Sequence, residues 1–345
     1  MKELIERVVG GGEPLGAAEV AEAAAALLSG NSGDEEKADF LEALNKRGEK
    51  PEEVRFFASE FLKAAVPFDV PAGLGPVLDV CGTGGDKLGL FNVSTAVMFV
   101  AAGAGARVVK HGNRGITSRS GGADVLEALG VPVELPMATQ HKMLESCGAC
   151  FLFAPRFHPA FKAVAGARKV LAARGRPSIF NMLGPLLNPG RPAFQLTGVF
   201  SESLLPLYSS VLPALGRKRA WVVHGKVDGG VMDEISTAGR TIVSDVSGEE
   251  ISVQELAPGR FFAPPASLDQ MKGGDAAENA KLLTNLLGGE SGPRRDIVVL
   301  NSAAALVVAG LASDIEEGIA RASESVDSGA ARRVLDGMRR SAGGA

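Results

Sequence analysis

Apolar positions along the chain keep two different rhythms, and the change comes near residue 76. Before it the spacing is helical. Residues 17–28 are alanine-rich with apolar positions on a helical repeat. Residues 37–48 (KADFLEALNKRG) place Phe40, Leu41 and Leu44 on one face and close on a glycine suited to a helix C-terminus. Pro51-Glu52-Glu53 is a proline-plus-acid start for a helix over 54–65. The Pro/Gly-rich stretch PFDVPAGLGP, 67–76, marks the expected domain boundary. After it, strand-length apolar runs at 76–80, 107–110, 131–135, 149–153, 195–200 and 220–223 alternate with helical segments at 94–105, 122–129, 139–147, 159–174 and 202–215. This alternation predicts an α/β domain: a mostly parallel central sheet flanked by helices, behind a small all-helical N-terminal domain. Residues 241–263 form a small β excursion in this reading, and helices return at 276–287, 302–311 and 315–340.

Composition narrows the function classes. The chain has 345 residues, 46% hydrophobic and 22% charged, so it can bury a large core. A net charge of −4 argues against general nucleic-acid binding, which rests on cationic neutralisation of phosphates. One Trp and one Tyr offer few stacking platforms for single strands. The opening MKELIERVV lacks the apolar core of a signal peptide, and no apolar run approaches the roughly 18 residues of a membrane span. Cys147 and Cys150 make a lone C-x-x-C with no second pair for zinc, and Cys81 stands apart. A cytoplasmic protein without nucleic-acid or membrane partners is expected.

Four segments carry chemistry. In VLDVCGTGGDKLGLFNVST, 77–95, an apolar run ends in Gly82-Thr83-Gly84-Gly85-Asp86, and Asn92-Val93-Ser94-Thr95 opens the next apolar run. Glycines let the backbone approach a ligand, and a helix N-terminus offers unpaired N–H groups, so the order strand, glycine loop, helix predicts a phosphate or pyrophosphate site. It is neither a Walker A loop, which needs a lysine where Leu90 stands, nor a dinucleotide fingerprint, whose last glycine is replaced by Lys87. The second segment, VVKHGNRGITSRSGGA at 108–123, crowds Lys110, His111, Asn113, Arg114, Thr117, Ser118, Arg119 and Ser120 into a loop after the next strand. Two such loops at the carboxyl ends of strands argue for one polyanion spanning both. The third, WVVHGKVDGGVMDEIS at 221–236, ends in Asp233-Glu234. Beyond a strand end both carboxylates can reach one magnesium ion shared with substrate phosphates. His224 in it is a ligand contact or a satisfied structural histidine. The fourth, 157–189, ends in FNMLGPLLNP, a shaped wall broken by Gly184-Pro185 and Asn188-Pro189. Before that wall, Lys162 and Lys169 are spaced for a solvated face, whereas Arg168 beside Gly166 and Ala167 is placed to reach inward to a carboxylate.

Together, GTGGD (82–86), FNVST (91–95), KHGNR (110–114), SGGADVLEALG (120–130), FNMLGPLLNP (180–189) and DEIS (233–236) resemble the anthranilate phosphoribosyltransferase family, over nearly the whole chain and in order. The resemblance implies a nucleoside phosphorylase/phosphoribosyltransferase-like fold. A helical domain, 1–70, would be completed by helices from about 159–190, and an α/β domain would span 71–345. It implies a homodimer, transfer of phosphoribose from 5-phosphoribosyl 1-pyrophosphate to the anthranilate amine, and two Mg²⁺ ions. Carried over, Gly82, Gly85, Asp86, Asn92, Val93, Ser94, Thr95, Lys110, His111, Gly112, Asn113, Arg114, Gly115, Ile116, Thr117, Ser118 and Gly122 would hold the donor. Ser94, Asp233 and Glu234 would hold the metal, and Gly82, His111, Asn113 and Arg168 the anthranilate. The aniline nitrogen is already nucleophilic, so no general base is assigned. Three departures stand out: Leu90 where the family has Thr, a longer span from Arg168 to Asn181 that lets Arg174 or Arg176 compete for the role of Arg168, and an extended loop from His224 to Asp233. The competing readings are a related transferase or phosphorylase with another acceptor, such as a pyrimidine base, and a non-enzymatic nucleic-acid binder.

Overall fold

The computed structural model describes residues 1–115, 119–262 and 265–343. Four helices come first: α1 (Lys2–Gly10), α2 (Ala17–Leu28), α3 (Asp34–Arg47) and α4 (Pro51–Lys63). There follow β1 (Leu78–Gly82), α5 (Val93–Gly103), β2 (Val108–Gly112), α6 (Gly122–Ala128), α7 (Met137–Cys147), β3 (Ala149–Phe153), the one-turn helix α8 (Ala154–Phe157), α9 (Ala165–Ala173), the one-turn helix α10 (Phe180–Leu183), β4 (Phe194–Gly198), α11 (Leu204–Ala214), β5 (Arg219–Val227), β6 (Gly230–Met232), β7 (Arg240–Ser247) and β8 (Glu250–Leu256). The chain closes with α12 (Ala276–Leu287), α13 (Pro293–Val308), α14 (Ile315–Asp327) and α15 (Ala330–Ser341). Among the described residues no helix is long and apolar enough to cross a membrane.

One sheet organises the larger unit, in the order β3-β2-β1-β4-β5-β7-β8, with β6 on the tail of β5. The first five strands are parallel; β7 and β8 add an antiparallel hairpin, so the β excursion expected over 241–263 is strand only as far as Leu256, and residue 263 lies outside the described residues. Strand side chains alternate between faces. On β5, Trp221 and Val223 enter the core built with α5 and α12–α15, while Ala220 and Val222 enter the core of the opposite face, built with α11 and the N-terminal helices. α5 is buried along nearly its whole length, which explains a run too apolar to be amphipathic. The second core also takes in Val164, Ala167, Leu171, Ile179, Phe180, Leu183 and Leu186, so the 159–190 segment packs with α1–α4.

Four expectations change. Residues 131–135 form no strand. Val131, Val133 and Leu135 are buried while Pro132 and Glu134 are exposed, so the period of two is real. Pro132 and Pro136 lack N–H donors, however, and the segment runs between α6 and α7 as a connection outside the sheet that bends at Val133 and Glu134. The helix expected over 315–340 is interrupted at Gly329, whose φ of 72° caps α15. The helix expected over 302–311 starts earlier, at Pro293 in its first turn, where a missing N–H costs nothing. In the fourth segment, 159–174 divides into a 3₁₀ turn (Pro159–Val164) and α9. The Gly-Pro wall is made of α10 and a 3₁₀ turn, Gly184–Leu186.

Candidate active site

From β1 the chain steps outward through β2 to β3, then returns to lay β4 against the other side of β1. In a parallel sheet, the crevice at the carboxyl ends of strands beside such a reversal is where ligands bind. Gly82 and Gly198 pair there, at the ends of β1 and β4. Asp233 lies over both. A β-carbon on Gly198 would stand 1.5 Å from the Asp233 carbonyl oxygen, and one on Gly82 would stand 2.6 Å from Asp233 Oδ2. The expected loop from His224 to Asp233 proves to be a hairpin: β5 continues to Val227, turns at Asp228-Gly229 and pairs back through β6, which delivers Asp233 and Glu234 to the crevice.

The acidic turn joins the glycine loop directly. Asp233 Oδ2 accepts the Gly84 N–H at 2.6 Å. Burial first, then the charge of Asp86, raises the Asp233 carboxyl to about 7. Desolvation first, then Asp233, holds Glu234 well above the usual carboxylate range, against the pull of Lys110 and of the Ser94 N–H. Lys110 Nζ donates to the Val80 carbonyl at 2.5 Å and to Ser94 Oγ at 3.1 Å. Lys110 therefore offsets Glu234, while Asp86 adds to the charge at Asp233. Among the described residues no three His, Cys, Asp or Glu side chains converge to hold a metal by themselves, so the oxygen donors of Asp233 and Glu234 suit a divalent cation such as magnesium only if substrate phosphates share it.

The rest of the glycine loop is shaped from within. Asp86 Oδ1 accepts the Leu88 N–H at 3.2 Å, and Gly85 packs so near Phe200 that a β-carbon would meet the ring at 2.5 Å. Leu90 bridges to Lys272 and packs its side chain against the core, which accounts for an apolar residue in a polar loop. Val93 and Thr95 have buried side chains at the start of α5.

Of the second loop, Ile116, Thr117 and Ser118 lie outside the described residues. Its base is closed by Asp124, whose Oδ2 accepts the N–H groups of both Gly115 and Gly121 at 2.8 Å. Gly122 backs onto Thr95: a β-carbon there would lie 3.1 Å from Thr95 Oγ1, which brings the two loops together. Gly112 is pressed against the Phe151 ring, and Asn113 is exposed. Arg114 turns toward α6, paired with Glu127 and Asp124 and 5.2 Å above the Phe153 ring, so it points away from the free-cation role the sequence suggested.

His111 and Arg168 stand at the two ends of a ridge of rings. The ring centroids of His111 and His158 are 5.2 Å apart, those of His158 and Phe161 5.0 Å, and those of Phe161 and Phe180 5.5 Å; the Arg168 guanidinium lies 5.6 Å over Phe180. Burial lowers the affinity of both histidines for a proton, bringing His111 to about 3. Arg168 has no carboxylate partner among the described residues, whereas Arg174 is held by Glu35, Asp39 and Glu42 and Arg176 by Glu42. His158 and Phe161, which the sequence does not single out, link His111 to Phe180 in this ridge; a histidine and a phenylalanine three apart beside a proline are the available signal. His224 is structural, its Nδ1 bonded to the Val199 carbonyl at 2.8 Å. The cysteines are free, with Cys150 buried.

A parallel sheet with a glycine-loop anion site and an acidic turn, with a helical bundle beside it, is the two-part construction of a glycosyltransferase family whose models the chain matches. The chain matches the family model "Glycosyl transferase family, helical bundle domain" over residues 2–65 and "Glycosyl transferase family, a/b domain" over 74–332. It is 45% identical to an anthranilate phosphoribosyltransferase of Methanosphaerula palustris, covering 97% of this chain and 96% of that one. It is 44% identical to that of Acetivibrio thermocellus, covering 97% and 95%. Among solved structures, the anthranilate phosphoribosyltransferase of Thermus thermophilus superposes with a TM-score of 0.89 at 39% identity, covering 98% of this chain and 99% of that one. The Saccharomyces cerevisiae enzyme in complex with PRPP and Mg gives 0.84 at 29%, covering 95% and 94%. The chain belongs to the anthranilate phosphoribosyltransferase family.

Proposed function

We propose that this protein transfers the phosphoribosyl group of 5-phosphoribosyl 1-pyrophosphate to the amine of anthranilate, giving N-(5-phosphoribosyl)anthranilate and pyrophosphate, a step of tryptophan biosynthesis. The observation that carries the reading is Asp233 laid over the paired glycines Gly82 and Gly198 at the sheet reversal, bonded to the glycine loop and next to the start of α5. The glycine loop, the start of α5, Lys110 and the base of the second loop hold the donor phosphates. Asp233 and Glu234, with Ser94, hold magnesium, two ions in this reading; when bound, the metal neutralises charge developing on departing pyrophosphate. Backbone N–H groups of the glycine loop stabilise the same charge without moving. Arg168 holds the anthranilate carboxylate, and the ring ridge from Phe180 to His111 gives its arene an apolar wall, with Asn113 and Gly82 completing the subsite. Positioning, not deprotonation, then drives attack on the ribose carbon.

The helical domain in this reading is 1–70 completed by about 159–190, and two copies pair through it, where Val9 stands 73% exposed on α1. Three free cysteines fit a reducing cytoplasm. The test is loss of anthranilate fluorescence with the phosphoribosyl donor and Mg²⁺. Turnover supports the reading; no turnover with anthranilate but release of pyrophosphate with a pyrimidine base would replace it.

A further inference from the structure

Asn92 occupies the N-cap of α5, where asparagine ordinarily turns its oxygen onto the helix's own first N–H groups. Here the side chain makes no capping bond. Its Oδ1 accepts from Asn279 Nδ2 at 2.8 Å, and its Nδ2 donates to the Ser120 carbonyl at 3.3 Å. Asn279 comes from α12 and is 2% exposed. Its amide is oriented by backbone: Oδ1 accepts the Gly274 N–H at 2.8 Å, while Nδ2 also approaches the Gly274 carbonyl at 3.4 Å. That anchor decides which end of the Asn279 amide meets Asn92, and therefore which end of Asn92 meets Ser120. The same segment is tied to the glycine loop, since the Gly273 N–H donates to the Gly89 carbonyl at 2.9 Å. In the first turn of α5, the Val93 N–H goes to the Phe91 carbonyl, and the Ser94 N–H faces Glu234 and pulls weakly on its carboxyl. The Thr95 N–H is the remaining donor that a capping Asn92 would take.

We propose that Asn279 is a positioning residue for donor binding: it holds the Asn92 amide off the N-terminus of α5, leaving the Thr95 N–H to a phosphate of the bound pyrophosphate group. The proposal rests on the donor reading given above. Without Asn279, Asn92 swings onto its own helix and competes with the ligand within the molecule.

The full chain is titrated calorimetrically with 5-phosphoribosyl 1-pyrophosphate and Mg²⁺, and in parallel with inorganic pyrophosphate and Mg²⁺. Asn279→Ala and the near-isosteric Asn279→Leu are expected to raise both Kd values about tenfold while the KM for anthranilate holds, and in an Asn92→Ala background Asn279→Ala changes Kd less than about twofold. The proposal falls if the single variants keep wild-type Kd, if the same rise persists without Asn92, or if the anthranilate KM rises in step. If neither variant folds, Asn92→Asp serves: its carboxylate is driven to cap α5 and cannot donate to Ser120, so donor affinity drops, and wild-type affinity overturns the relay. A wild-type chain that binds pyrophosphate but not the phosphoribosyl donor removes the donor reading while leaving the relay measurable.

Discussion

Asp233 Oδ2 accepts the backbone N–H of Gly84 at 2.6 Å, across 149 residues of sequence. The bond makes the acidic turn and the glycine loop one construction. Gly84 holds a φ of 70°, a left-handed conformation that glycine adopts without strain, and it turns its N–H toward the carboxylate. A change that displaces the acidic turn therefore displaces the phosphate loop as well.

Gly198→Ala tests that coupling. Its methyl would occupy the place of the Asp233 carbonyl, where nothing flexible can yield. Overpacking of this kind costs about 1–3 kcal/mol. The expected result is a destabilised protein whose KM for the phosphoribosyl donor and whose magnesium requirement rise together. Gly30→Ala, with open space around the added methyl, is the control and should stay within about 0.5 kcal/mol of wild type. A Gly198→Ala protein with unaltered donor KM would separate the turn from the loop.

Asp233→Asn should move stability and activity in opposite directions. Burial first, and then a neighbouring carboxylate (Asp86 for Asp233, Asp233 for Glu234), makes both carboxyls hold their protons so tightly in the metal-free protein, so a charge at either position is costly and repelled. Removing one charge relieves that repulsion, so the melting temperature without metal should rise by roughly 1–3 °C. Turnover at saturating magnesium should fall by about a hundredfold or more, because a cation ligand is gone. Glu234→Gln should do the same. A melting temperature that falls in metal-free buffer would show that the pair is held by partners other than a cation.

Much of this was legible in the sequence because it is local. Strand, glycine loop and helix start follow one another at 77–95, so an anion site could be inferred from neighbours alone. The need for glycine at 198 was not, since the atom that excludes a side chain belongs to a residue 35 positions later, delivered by a hairpin that read only as a long loop. The small neighbours of Arg168 favour it along the chain but leave Arg174 and Arg176 in competition; α3 supplies the carboxylates that hold those two and distinguish them from Arg168. Residues 131–135 had the alternation of a strand, but Pro132 and Pro136 removed the hydrogen bonds that pairing needs.

Arg168→Ala should raise the KM for anthranilate about tenfold or more, with the donor KM unchanged, because its guanidinium has no carboxylate partner among the described residues and a bidentate partner in the ligand would be lost. Arg174→Ala should leave the anthranilate KM alone and lower the melting temperature, since this residue ties α9 to three acids of α3. Steady-state kinetics on both variants settle the assignment: a rise confined to Arg174→Ala would transfer the role.

His111 should make the protein sensitive to acid. Burial, and then the neighbouring His158, bring its imidazole to about 3, from an ordinary value of 6.5. Between those values the unfolded chain binds a proton that the folded chain does not. Stability is therefore full above the unfolded value and is lost as pH falls below it. At pH 5 the loss from this one residue is up to about 2 kcal/mol, and His158 acts in the same direction. Urea denaturation of metal-free protein at pH 7.5 and pH 5.0 measures it. His111→Phe keeps an aromatic ring beside His158 and should lose less stability over that interval than wild type. An equal loss in both proteins would mean that His111 takes up its proton in the folded state, and a pH profile of turnover between 6 and 9 should likewise contain no step from this residue.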